Sequence, residues 1–255
     1  MTALVHYSVE NGVARLTLDS PHNRNAMSTA LVDQLRQGLT DAADDPGVRV
    51  VVLGHTGGTF CAGADLSEAA GRDPGDLATA RALEAAGLLR SILELPVPVI
   101  AAIDGHVRAG GMGLIGACDL VVAGTASTFA LTEARIGVAP SIISLTLLPK
   151  MTARAAGRYF VTGEKFGAEE AERIGLVTVA TDDVPATVAK LTDEITKGSP
   201  QGLATSKALT TASILADFDR DAEKLAKQSA QLFVSDEARE GMMAFLQKRQ
   251  PNWNK

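Results

Sequence analysis

Cysteine is scarce in this chain: two thiols, Cys61 and Cys118, in 255 residues. Their separation matches no metal-ligand spacing and gives no disulfide framework, so neither a zinc module nor a stapled scaffold fits. Buried free thiols in a reducing compartment do, and a cytoplasmic location is expected. Positive charge is also short. The formal net charge is −6, which argues against a general nucleic-acid binder. It leaves room for an anionic small ligand held by local cations or helix N-termini. The longest apolar runs, such as Val97–Ile103, are far too short to cross a bilayer, and the first ten residues read as a strand rather than a signal peptide. No membrane or nucleic-acid partner is expected. No G-x-S-x-G elbow occurs, and the four histidines, His6, His22, His55 and His106, stand near no serine or cysteine in a recognisable nucleophile motif.

What is present is an apolar share of 46%, enough for a sizeable core. Leu4–Val9 and Val13–Leu18 around an Asn-Gly turn read as a β-hairpin. Met27, Leu31, Leu35 and Leu39 recur every four residues and predict a helix over 26–43. Val50–Leu53 reads as a short buried strand, 76–95 as a helix stopped by Pro96, and Val97–Ile103 as the next strand. A short helix over 111–117 and strand material at Leu120–Ala123 and Thr128–Leu131 follow. Beyond residue 150 the pattern turns helical, at 153–160, 168–174, 184–197, 200–212, 214–233 and 235–248. The expected organisation is an α/β core over 1–197 and a helical region over 198–255, whose apolar stripes suit an interface or a lid.

Two glycine-rich stretches carry the chemistry: Thr56–Asp65 and Asp104–Gly113. Each follows an apolar run and leads toward a helix, so their backbone N–H groups are candidates for two donors converging on one oxygen. A lone acid, Glu133, follows at Leu131-Thr-Glu-Ala-Arg135. Apolar Phe129, Leu131 and Ile136 around it would raise its pKa toward a working value, although an isolated glutamate after a strand is also an ordinary solvated cap. Gly111-Met-Gly-Leu-Ile-Gly116 formally matches the dinucleotide fingerprint, with Glu133 as its acid. That fingerprint needs its first glycine in the turn directly after the strand, whereas Gly105–Gly110 intervene here, and it leaves the first loop unexplained.

Taken in order, Pro21-His-Asn-Arg-Asn-Ala-Met27, Phe60-Cys-Ala-Gly-Ala-Asp-Leu66, Pro96–Gly105, Cys118-Asp119, Leu131-Thr-Glu133 and Glu240–Arg249 resemble the crotonase family, the enoyl-CoA hydratases and isomerases, over essentially the whole chain. The resemblance implies a crotonase-like spiral of strand–strand–helix turns with a helical C-terminal trimerisation region, and a homotrimer or homohexamer. It implies a thioester carbonyl held by the N–H groups of Ala64 and Gly110, with Glu133 as general acid/base. Ala62, Ala64, Asp65, Leu66 and Ser67, with Gly110, would bind the CoA thioester. Phe245 and Lys248 would touch the nucleotide end, or simply pack and solvate the tail. No metal or redox cofactor is implied; CoA enters as part of the substrate.

The chain departs from its family at position 113, where many hydratases carry a second glutamate, and at Ala109, where glycine is frequent. Two carboxylates hold a water between them, so Gly113 removes half of that arrangement. The stretches 113–119 and 134–144 resemble bacterial hydratases of the methylglutaconyl and carboxygeranoyl type, which also lack that first glutamate. Hydration of a 2-enoyl-CoA, branched or carboxylated, is therefore the leading reading. A Δ3,Δ2-enoyl-CoA isomerase with Glu133 as single proton shuttle is the alternative, and a non-catalytic acyl-CoA-binding oligomer a third.

Overall fold

In the computed structural model, which describes residues 2–69 and 74–254, the chain opens with β1 (Val5–Glu10) and β2 (Val13–Leu18), paired antiparallel from Val5↔Leu18 to Glu10↔Val13. Asn11 and Gly12 both take positive φ (51° and 77°), as the tight right-twisting hairpin turn requires. Helix α1 (Thr29–Asp44) starts at a Ser28 cap, whose Oγ accepts from Leu31 N. It begins three residues later than the periodicity predicts. Met27 pairs with Ala64 as a β-bridge instead, and Met27 N donates to Gly63 O at 2.8 Å.

The chain then repeats one manoeuvre. β3 (Val50–His55) leads to β4 (Thr59–Cys61) and then α2 (Pro74–Glu94); β5 (Val99–Ile103) leads to β6 (His106–Arg108) and α3 (Gly110–Ala117); β7 (Leu120–Gly124) leads to β8 (Thr128–Ala130) and, after a 3-10 turn at Glu133–Ile136, to α4 (Ser144–Leu147). The first strand of each pair joins one sheet and the second joins another. Completed by α5 (Ala153–Thr162), β9 (Phe166–Gly167), α6 (Ala168–Arg173) and β10 (Val179–Thr181), the sheets run β1-β2-β3-β5-β7-β10 and β4-β6-β8-β9. Pairing is parallel except at β1–β2 and β8–β9. Successive strands thus stack one spiral turn per layer, with a register shift between Thr59 and Cys61 where β4 pairs with β6. β5 is apolar throughout, with Val99, Ile100, Ala101 and Ile103 wholly buried, as a parallel strand covered on both faces must be.

After α7 (Val184–Thr196) come α8 (Pro200–Phe233) and α9 (Asp236–Leu246). The two helices expected at 200–212 and 214–233 are one helix of 34 residues. Ser213 contains no breaker, and Thr211 and Ile214 on either side of it are both buried, so packing carries the helix through. Lys207 on α8 is buried. Its Nζ pairs with Asp119 Oδ2 at 2.8 Å and donates to Ile92 O and Val97 O, anchoring α8 to the end of α2 and the approach to β5. Among the described residues, no helix is long and apolar enough to cross a membrane. Cys61 and Cys118 are free and buried, and burial pushes both thiols up to about 12.

Candidate active site

The first glycine loop is held from below by residues 20–27. Asn25 is fully buried at φ 53°. Its Nδ2 donates to Thr56 O (3.1 Å) and Thr59 O (2.8 Å), and its Oδ1 accepts from Ser20 N (2.6 Å). Ala62 N donates to Arg24 O and Asp65 N to Met27 O. These bonds fix the peptide between them, the one bearing Ala64 N. Further along, Asn23 Nδ2 donates to Asp65 Oδ2, while Asp65 Oδ1 accepts from both Ser67 N and Ser67 Oγ. The Ser67 hydroxyl is the main reason the Asp65 carboxyl sits below its ordinary value.

The second loop meets the first at Gly63 and Gly110. Gly63 takes φ 95°, and a Cβ there would stand 2.8 Å from Ala109 Cβ and 3.0 Å from Gly110 N, so only glycine fits. A Cβ on Gly110 would overlap Met27 Cε and lie 3.7 Å from Ala64 N. The N–H groups of Ala64 and Gly110 are therefore neighbours, contributed by different layers of the spiral. Among the described residues neither donates to a backbone acceptor. Gly110 is also the first residue of α3, whose positive end adds to the field at this point. Ala109, just before it, is held at φ 46°, ψ −123°, a conformation glycine adopts freely and alanine does not. The turns that feed the loops are clasped together: His55 Nε2 accepts from Asp104 N at 3.0 Å, and His106 N donates to Gly58 O. The His106 ring is exposed and bonds Thr128 Oγ1, a surface contact on β6.

Glu133 opens the 3-10 turn that follows β8. The residue is 9% exposed, and its Oε2 is buried with no hydrogen-bond partner. Burial is the dominant influence and raises the carboxyl from 4.5 to about 7. The turn is buttressed by α9. A Cβ on Gly241 would collide with the backbone of Ile136, and one on Gly137 would lie 2.6 Å from Glu237 C and O. The fold thus offers two neighbouring backbone donors suited to a developing oxyanion and, on the turn after β8, one buried carboxyl raised to about 7. No cluster of three or more His, Cys, Asp or Glu with metal-binding geometry occurs among the described residues.

Residues 8–255 match the sequence profile described as enoyl-CoA hydratase/isomerase, ECH_1. The chain belongs to the enoyl-CoA hydratase/isomerase family. A crystal structure of an enoyl-CoA hydratase from Mycobacterium avium is 66% identical, with TM-score 0.94 over 99% of this chain and all of that one. An enoyl-CoA hydratase from Mycobacterium smegmatis is 31% identical with TM-score 0.80, each chain fully covered. The mevalonyl-coenzyme A hydratase sidH of Aspergillus fumigatus is 33% identical over 248 residues, 93% of this chain and 90% of that protein.

Of the enoyl-CoA hydratase/isomerase site residues expected from sequence, Ala62, Ala64, Asp65, Leu66, Ser67 and Gly110 fall on the two converging loops. Phe245 lies near the end of α9 and is 59% exposed, and Lys248, just beyond the helix, takes φ 53°. Sequence reasoning gave no mechanical role to Asn25 or Met27, although both fall inside the quoted Pro21–Met27 stretch.

Proposed function

We propose that this protein adds water across the double bond of a 2-enoyl-CoA thioester. The thioester oxygen is assigned to the space between Ala64 N–H and Gly110 N–H. Ionised Glu133 takes a proton from water as its oxygen bonds the substrate β-carbon. The double-bond electrons move onto the thioester oxygen as an enolate, and protonated Glu133 then delivers the proton to the α-carbon, giving the 3-hydroxyacyl thioester. One carboxyl serves both transfers, so it is regenerated each cycle. Two fixed donors stabilise the enolate by about 3–4 kcal/mol each at the upper end.

The observation that carries this reading is the Glu133 carboxyl, buried, with Oε2 unpartnered and raised to about 7. At neutral pH its acid and base forms are both populated, as an alternating donor and acceptor needs. The Asp65–Ser67 segment is assigned to the CoA moiety and Phe245 and Lys248 to its nucleotide end. The reaction needs no metal or redox cofactor, since CoA arrives with the substrate. Exposed Met243, Phe245, Leu246 and Trp253 support burial of this tail in a homotrimer or homohexamer, which sedimentation velocity would resolve.

A second reading is favoured by Gly113, where no second carboxylate exists to hold a water. In it, Glu133 removes a proton from the α-carbon of a 3-enoyl-CoA and returns it to the γ-carbon. The test exposes the protein to crotonyl-CoA, 3-methylglutaconyl-CoA and a 3-enoyl-CoA, with products read by mass. Gain of one water from a 2-enoyl thioester is the expected result. Conversion of the 3-enoyl substrate without mass change, and no hydration, would replace the first reading by the second.

A further inference from the structure

Gly113 lies one turn beyond Gly110 on α3 and is buried. A Cβ there would overlap Ile143 Cγ2 and stand 3.0 Å from Ile143 Cβ and 3.3 Å from Leu89 Cδ1. The packing is locked one turn further on. Thr146 Oγ1 donates to Gly113 O at 3.0 Å, and a Cβ on Gly116 would lie 2.9 Å from Thr146 O. The segment 143–146 is thus pressed onto the glycine face of α3. Protein interiors are close-packed, so a side chain at 113 could enter only if Ile143 shifts.

Ile143 is 7% exposed and Leu89 2%; both are hydrocarbon, and neither offers a donor or acceptor. We infer that Ile143, backed by Leu89, is a specificity-determining residue of this site: it fills the place of a side chain at 113 with an apolar wall and limits the room at the acyl β-carbon. The inference rests on the reading of Gly110 and Glu133 given above. On this account a carboxylate cannot enter at 113 while Ile143 stands. A water at the β-carbon meets one carboxylate, and an acyl substituent on that side meets hydrocarbon.

The test uses saturated thioesters, which cannot react, so that it does not depend on which reaction the protein catalyses. Affinities for butyryl-CoA, 3-methylbutyryl-CoA and free CoA are measured by calorimetry for wild type, Ile143→Ala and the milder Ile143→Val. Ile143→Ala should shift the affinity ratio about tenfold toward the branched thioester, with free CoA unchanged; Ile143→Val should shift it the same way by less. In parallel, the loss of stability from Gly113→Ala should be smaller in the Ile143→Ala background than in wild type. An unchanged butyryl to 3-methylbutyryl ratio, or strictly additive stability costs, would overturn the inference. A protein that shows the ratio shift yet hydrates no enoyl-CoA would instead refute the proposed reaction and leave Ile143 in its role.

Discussion

Replacing Glu133 by glutamine should make the protein less sensitive to alkaline pH, by an amount the burial of the carboxyl sets. The folded-state pKa is raised from 4.5 to about 7, so the folded protein binds a proton more tightly than the unfolded chain does. Stability from this group is therefore fully present below pH 4.5 and is lost as pH rises through 7. At about 1.4 kcal/mol per pH unit, the complete loss is on the order of 3 kcal/mol, and about 2.5 kcal/mol of it falls between pH 5 and pH 9. Glutamine keeps the shape and cannot ionise. Every other titrating group is common to both proteins, so subtracting their urea-unfolding free energies at each pH isolates Glu133. The expected outcome is a wild-type curve that falls relative to the Glu133→Gln curve as pH increases, with its steepest part below pH 7. Parallel curves would mean that Glu133 is not desolvated in the folded protein, and the argument for a poised carboxyl would fail with it.

Ala109→Gly should stabilise the fold by about 1 kcal/mol, because glycine adopts φ 46°, ψ −123° without the strain alanine carries there; chemical denaturation reads it. Asn25→Ala should cost about 3 kcal/mol, since it removes a buried amide that donates to Thr56 O and Thr59 O and accepts from Ser20 N. Amide exchange in residues 56–65 should rise in the same variant. Gly241→Ala drives a methyl into the backbone of Ile136, so it should displace the turn bearing Glu133. We expect kcat to fall by at least about tenfold with KM little changed, alongside a stability loss of about 1–3 kcal/mol. Wild-type kcat in that variant would mean α9 does not position the carboxyl.

Much of this architecture was readable from local signals. The Asn-Gly hairpin, the apolar strands at 50–53 and 97–103 and the helix after the second glycine loop all rest on short-range pattern, and each occurs near its expected place. The errors arise where tertiary contacts override that pattern. Met27 has the right spacing for α1 yet is taken by Ala64 for a β-bridge, and the break expected at residue 213 is absent from an unbroken α8. Strands β4 and β6 lie inside what read as loops, because three-residue strands carry no periodicity. The glycine loops and Glu133 stood out by composition. Their approach to one another did not, since it depends on Gly63 meeting Gly110 from another layer of the spiral. The packing of Ile143 against Gly113 was hidden for the same reason. Its significance is a contact with a missing side chain at 113, and no linear spacing encodes that.

The most direct test of the account compares wild type and Glu133→Gln for turnover of a 2-enoyl-CoA, alongside the affinity of each for saturated butyryl-CoA. In the glutamine variant kcat should fall by about 10²–10⁴-fold. Thioester affinity should stay within about tenfold, because the Ala64 and Gly110 donors are untouched. Wild-type turnover in the glutamine variant would contradict the role of Glu133, and turnover lost together with thioester binding would contradict its separation from the oxyanion donors.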